Sequence, residues 1–190
     1  MAEKIIGVLA LQGAFQEHEQ MLAKLGAKFR EIRKPEDLTE DIAGVILPGG
    51  ESTAQRKLLQ ETGLFQPLQQ RIRGGLPVLA TCAGLILLAQ ELSNDDAGTL
   101  GTLPVRVQRN AYGRQLGSFA YRGSFGDLPE VSMPFIRAPY IEKVLHPAVK
   151  VLSTCQGKIT AVAYKKQLGM AFHPELTKDL RIHQQFVQML

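Results

Sequence analysis

Cysteine is scarce in this chain of 190 residues: there are two, Cys82 and Cys155. No feature marks the sequence for export, so both thiols are expected to stay reduced in the cytoplasm rather than to staple the fold. The apolar stretch from Ile5 to Leu11 is interrupted by Gln12 and Gly13, and no small-residue cleavage site follows, so it is not expected to be a secretory leader. No apolar run approaches the ~20 residues that span a bilayer. Blocks of one charge are missing too. Lys and Arg number 22 against 18 Asp and Glu, a net charge of +4, and the two signs are interleaved. The densest basic spot, Arg71-Ile72-Arg73-Gly74-Gly75, lacks the aromatic side chains that stack bases, so a solvated surface is expected and no nucleic-acid partner. There is no metal-ligand spacing, internal repeat, low-complexity tract or linker.

What is present alternates. With 45% hydrophobic residues the chain can bury one good-sized core, and residues 1–190 are expected to form a single domain. Ile5–Leu11 is apolar nearly throughout, as in a strand covered on both faces, and a helical pattern over Phe15–Leu25 follows. Strands are expected at Lys28–Ile32, Gly44–Leu47 and Leu76–Ala80. Residues 54–73 have a helical pattern with a break near Gly63 and Pro67, and Leu85–Leu92 a helical one. From about Thr99 to Tyr164 short segments broken by Gly and Pro suggest antiparallel strands at one side. A last strand closes at Ala171-Phe172, and Thr177 is placed to cap a final helix bearing Ile182, Phe186, Val187 and Leu190. The expected architecture is a three-layer α/β/α domain with a mostly parallel sheet and a smaller antiparallel portion.

In such sheets ligands collect beyond the carboxyl ends of the strands. Three segments place unusual residues there. In Ala80-Thr81-Cys82-Ala83-Gly84 a cysteine stands between a strand and a helix with small residues two positions to either side, as a tight nucleophile turn requires. The helix start favours a thiolate, and the Ala83 N–H is free for an oxyanion. In Phe172-His173-Pro174-Glu175-Leu176, Pro174 keeps His173 extended, so that His173 and Glu175 can share one side. Leu47-Pro48-Gly49-Gly50-Glu51-Ser52-Thr53 turns backbone N–H groups outward after a buried strand, with Ser52 or Thr53 as a helix cap. Each has a plain reading: an inert core thiol, a polar turn, a strand-to-helix connection. Together they suggest a Cys-His-Glu constellation. A serine hydrolase built on Ser52, Asp127 and His173 is the rival, since Gly50-Glu51-Ser52-Thr53-Ala54 approximates that elbow, but it leaves Cys82 and Glu175 idle. A non-catalytic scaffold subunit is a third reading.

Several stretches carry a resemblance: GVLALQGAF (7–15), LPGGEST (47–53), TCAGLILLA (81–89), RNAYGRQ (109–115), FIRAP (135–139) and FHPELT (172–177). Over nearly its whole length the chain resembles the triad, or class I, glutamine amidotransferases, and among them the glutaminase subunits of pyridoxal 5′-phosphate synthase. The region near Phe119–Val131 matches least. The resemblance implies Cys82 as nucleophile, His173 as base and acid, and Glu175 as its orienting partner. It also implies that Gly50, Glu51, Ser52, Arg109, Ile136 and Arg137 bind glutamine. The N–H groups of Gly50 and Ala83 are the expected oxyanion donors, and the Gly49-Gly50 peptide is expected to have two orientations between which a partner selects. L-glutamine would be the substrate and a synthase subunit the partner, in a large hetero-oligomer, with no cofactor or metal. Gln12 is expected to be a loop residue, or a contact for that partner, and Cys155 has no assigned role.

Overall fold

Strands β1 (Ile5–Leu9), β3 (Ile42–Leu47) and β4 (Val78–Thr81) are short and built almost wholly of branched or small apolar residues, which suits strands buried on both faces. Val8, Val45, Ile46, Leu47, Val78 and Leu79 are fully buried. The computed structural model describes residues 4–93, 95–110 and 117–190, and among them one sheet of ten strands and a separate two-stranded hairpin. With β2 (Lys28–Ile32) and β12 (Gln167–Met170), the three buried strands form a parallel block in the order β2-β1-β3-β4-β12. The sheet continues through β11 (Lys158–Tyr164), β9 (Tyr140–Val144) and β6 (Leu103–Gln108), with antiparallel pairings, to β5 (Ala89–Leu92), which runs parallel to β6. Strand β10 (Lys150–Cys155) pairs with β11.

Helices cover both faces. Helix α1 (Phe15–Lys24) meets α5 (Arg181–Gln188) on one side, while α2 (Ser52–Glu61), α3 (Phe65–Arg73) and α4 (Ala83–Leu88) pack together on the other. Phe186 and Leu190 fit α5 against β3 at Gly44, where a Cβ would come within 3.0 Å of the phenyl ring and 2.4 Å of Leu190. The hairpin of β7 (Ser118–Phe125) and β8 (Leu128–Ile136) anchors through Phe135, which stacks on Phe119 at 4.7 Å and meets Phe172 edge-on at 5.7 Å. This hairpin is the stretch in which the sequence resemblance was weakest.

Several boundaries differ from expectation, each for a tertiary reason. The helix expected over Leu85–Leu92 begins at Ala83 and stops at Leu88, because the carbonyls of Leu87 and Leu88 accept the N–H groups of Leu100 and Thr102 and the chain leaves as β5. The last strand ends at Met170, ahead of Ala171-Phe172. Thr177 does not cap α5: its hydroxyl donates to Pro174 O and accepts from Asp179 N–H, closing a 3₁₀ turn over Pro174–Leu176. The break in 54–73 falls at residues 62–64, and Pro67 sits inside the first turn of α3, where its missing N–H costs nothing. Residues 111–116, which include most of the RNAYGRQ stretch, lie outside the described residues.

Phe186 is fully buried between α5 and β3. Phe186→Ala is expected to cost about 3–5 kcal/mol and to lower the midpoint of thermal unfolding by roughly 10 °C, read by circular dichroism.

Candidate active site

Parallel pairing decides what meets at the edge of the sheet. Strands β4 and β12 run in register, with Thr81 opposite Met170, so the residues just past their ends, Cys82 and His173, emerge side by side. Cys82 is the cap residue of α4 and has φ 48° and ψ −103°, a strained conformation for a residue with a side chain. Its N–H donates to Met170 O at 2.8 Å, which locks the turn to β12. Gly84 must be glycine here, since a Cβ would lie 2.2 Å from Leu47 O. The small-residue requirement foreseen for the turn is thus a contact between α4 and β3.

His173 Nδ1 lies 2.7 Å from Glu175 Oε1, and both the ring and the Cys82 side chain line the same cleft. Its own N–H is tied to Pro134 O on β8 at 2.9 Å. Burial alone would lower the pKa of this imidazole, but the hydrogen bonds to Cys82 and Glu175, with their charges, overcome it and raise it to about 10. Glu175 is buried as well. Burial pushes its carboxyl upward, and His18 and His173 outweigh this and hold it below the usual range. The site therefore keeps an imidazolium beside the Glu175 carboxylate.

A cleft of about 540 Å³ opens beside this pair, lined by Gly49, Gly50, Glu51, Ser52, Cys82, Arg109, Ile136, Arg137 and His173 among others. Of the residues singled out from the sequence, Glu175 stands behind His173 and Ala83 beneath the cysteine; the rest line the cleft. Their roles divide more finely than the sequence suggested. The cap of α2 is Glu51, not Ser52 or Thr53: its carboxylate accepts from Thr53 N–H at 3.1 Å and Ala54 N–H at 2.7 Å. Arg109 is engaged with Asp95 at 2.8 Å, Thr53 at 3.2 Å and Glu51 at 3.6 Å. Arg137 makes no ion pair among the described residues and faces the cleft with a positive φ of 43°. Asp127 lies instead in the β7–β8 turn beside Arg181 and Gln184, so the Ser52, Asp127 and His173 set is not assembled.

The fold gives Gln12 more than a loop position. Its Oε1 accepts the Glu51 N–H at 2.9 Å, and its carbonyl accepts from Gln55 Nε2, which also reaches Pro48 O. Ala14 N–H donates to Gly49 O at 2.9 Å. These bonds hold the Gly49-Gly50 peptide in one orientation, of the two expected for it, and Gly50 N–H points away from Ala14. Gly49 itself lies under the imidazole, where a Cβ would stand 2.3 Å from His173 Cε1. Sequence reading also passed over Gln55, His18 and His183, all buried. For the histidines a signal existed: each is in helical register with buried apolar neighbours, His18 with Met21 and Leu22, His183 with Phe186.

With this geometry in place, comparison with known proteins settles the family. A family model described as the SNO glutamine amidotransferase family matches residues 8–190. The chain belongs to that family. Among its curated relatives, the "Pyridoxal 5′-phosphate synthase subunit PdxT" of Desulfitobacterium hafniense (strain Y51) is 58% identical over 185 residues, covering 97% of this chain and 92% of the relative. The protein of the same name from Carboxydothermus hydrogenoformans is 50% identical over 188 residues, covering 96% of each. A crystal structure titled as a glutamine amidotransferase superimposes with a TM-score of 0.91 at 41% identity, over 97% of both chains. This family member shares with that structure the three-layer fold described above.

Among the described residues no helix is long and apolar enough to cross a membrane, and no group of three or more His, Cys, Asp or Glu side chains is placed to hold a metal ion. Cys155 is a buried free thiol at the end of β10, pushed up in pKa by burial.

The raised pKa of His173 has a definite sign. The folded protein holds this proton more tightly than the unfolded chain, so the stability it contributes is complete below about 6.5 and is lost as pH rises toward about 10. In Cys82→Ala a side chain that raises the His173 pKa is removed. The His173 midpoint, followed by NMR, is then expected to fall below that of the parent; an unmoved midpoint would contradict the coupling.

Proposed function

We infer that this chain, acting as one domain over residues 1–190, is the glutaminase subunit of a pyridoxal 5′-phosphate synthase. It hydrolyses L-glutamine to L-glutamate and ammonia and passes the ammonia to a synthase partner for vitamin B6 synthesis. The observation that carries this reading is the Cys82 turn beside a His173 that Glu175 holds at 2.7 Å, on the wall of a cleft lined by Glu51, Ser52, Arg109 and Arg137. The names of the close relatives support the partner.

In this mechanism Cys82 Sγ attacks the side-chain amide carbon of glutamine and the C–N bond breaks, leaving a thioester. His173, already protonated, gives its proton to the departing ammonia. The tetrahedral oxyanion is assigned to the N–H groups of Gly50 and Ala83. His173 then takes a proton from water, whose oxygen adds to the thioester; the C–S bond breaks, glutamate leaves, and the Cys82–His173 pair is back in its starting protonation state. Glu175 stays ionised, fixing the ring and stabilising the imidazolium.

Arg137, the uncommitted cation, is assigned to the substrate α-carboxylate, where a guanidinium can make two parallel hydrogen bonds. Arg109 supports it from its place between Asp95 and Thr53. Ser52, Glu51 and the backbone at Gly50 and Ile136 complete the pocket. Ammonia released into water would be protonated and lose its nucleophilic lone pair, so the subunit works docked on the synthase, in a large hetero-oligomer. We assign this assembly to the cytoplasm, in keeping with two free cysteines.

The test is ammonia release from L-glutamine by the chain combined with its synthase partner. Cys82→Ala is expected to abolish release, a fall of at least about 10⁴-fold. Ser52→Ala should mainly raise KM. Parent-level release by the Cys82 variant would overturn the reading, and the reverse pattern would restore the serine hydrolase.

A further inference from the structure

The polar atoms do not stop at Glu175. Its Oε1 is taken by His173, while its Oε2 is buried, has no hydrogen-bond partner, and lies 3.6 Å from Nε2 of His18 on α1. That nitrogen also stands 3.2 Å from the hydroxyl of Thr81, the last residue of β4. On its other side, His18 Nδ1 is 2.8 Å from Nε2 of His183 on α5. His183 Nδ1, at the end of the line, is buried and unpartnered. His18 and His183 are both fully buried.

Burial, the larger cause for each, lowers the pKa of both rings, that of His183 to about 3. Glu175 and Glu17 act on His18 in the opposite sense and His173 in the same one, without reversing the outcome. Two neutral imidazoles therefore share two protons, and the contact between them needs one. If His18 Nδ1 carried its proton, His183 would have to carry its own on Nδ1, leaving an N–H buried without an acceptor. His18 would then turn a lone pair toward a carboxylate. If His183 Nε2–H donates to His18 Nδ1, the stranded atom is only a lone pair, and His18 presents Nε2–H toward Oε2. Buried orphan N–H groups are rarer and costlier than under-used acceptors. Thr81, being donor and acceptor at once, fits either arrangement and does not choose.

We propose that His18, set in its Nε2–H tautomer by His183, is a positioning residue of the active site, its N–H shared between Thr81 Oγ1 and the free oxygen of Glu175. It rests on the reading of Cys82, His173 and Glu175 as the triad. His18 keeps the carboxylate ionised in a dry pocket and stops it rotating away from His173. The first and last helices of the chain are thereby joined to the reactive cysteine through one line of side chains: His183, His18, Glu175, His173, Cys82.

Two measurements test this. In the unmutated full chain, ¹⁵N NMR of the imidazoles is expected to show His18 and His183 neutral with the proton on Nε2. A His18 proton on Nδ1 overturns the proposal without any variant. In the complex with the synthase partner, His18→Leu is expected to lower kcat about tenfold with KM unchanged, far short of the roughly 10⁴-fold cost of neutralising an orienting carboxylate outright. The acid limb of its kcat profile should move to higher pH, because only His173 and the backbone then oppose the effect of burial on Glu175. His18→Gln, whose amide N–H can stand near the place of Nε2–H, should recover most of both. Parent kcat and acid limb in His18→Leu, or a glutamine variant no better than leucine, would reduce His18 to packing. Absence of any Cys82-dependent release in the parent complex would sink the triad reading and this inference with it. Release that needs Cys82 but ignores His18 overturns this inference alone.

Discussion

The contact between His173 Nδ1 and Glu175 Oε1, 2.7 Å long and closed off from water, is the interaction on which the site depends. A carboxylate is costly to bury, and this one is tolerable only because imidazoles approach it from two directions. The same contact gives His173 a charge-stabilising partner on one nitrogen and leaves its other side for Cys82. Without Glu175 the ring would lose one of the two side chains that outweigh its burial, and its hold on the proton would weaken.

The fold supplies this contact through edges rather than through any one element. Four parallel strands, β1, β3, β4 and β12, end at one rim of the sheet, and the loops beyond them bring Gln12, Gly49, Cys82 and His173 together. The hairpin adds a wall bearing Ile136 and Arg137, held by aromatic packing on Phe172 next to the histidine. Positive φ angles at Cys82, Asn110 and Arg137, all lining the cleft, indicate backbone held in place by its surroundings. Close packing does the holding: glycines at 49 and 84 let the imidazole and the Leu47 carbonyl approach where a methyl group would collide.

Charge around the cleft is sorted by geometry as well. Arg109 and Arg137 looked equivalent in sequence, yet one is committed to Asp95 and Thr53 and the other makes no ion pair among the described residues. Glu51, a candidate for contacting substrate, already spends its carboxylate on capping α2, and the two N–H groups it accepts outweigh burial and lower its pKa. Its backbone N–H is held in turn by Gln12. The 49–52 loop is thus held by neighbours in the β1–α1 connection and on α2.

What the sequence alone determined is what depends on neighbours along the chain. Apolar runs marked the buried parallel strands, small residues two positions from Cys82 marked the tight turn, and the His-Pro-Glu order marked the pair of His173 and Glu175, though a 3₁₀ turn over Pro174–Leu176 rather than an extended strand end brings them together; all are effects within a few residues. Lys28–Ile32 was placed to the residue, while the helix after Cys82 was not, because its end is set by hydrogen bonds from residues 100 and 102. The pairing of β4 with β12, the union of His18 with His183 across 165 positions, and the Gln12 bond to the 49–51 loop were decided only by tertiary structure. Contacts of that kind depend on which strands lie side by side, and no local pattern of residues encodes the distance between two strand ends.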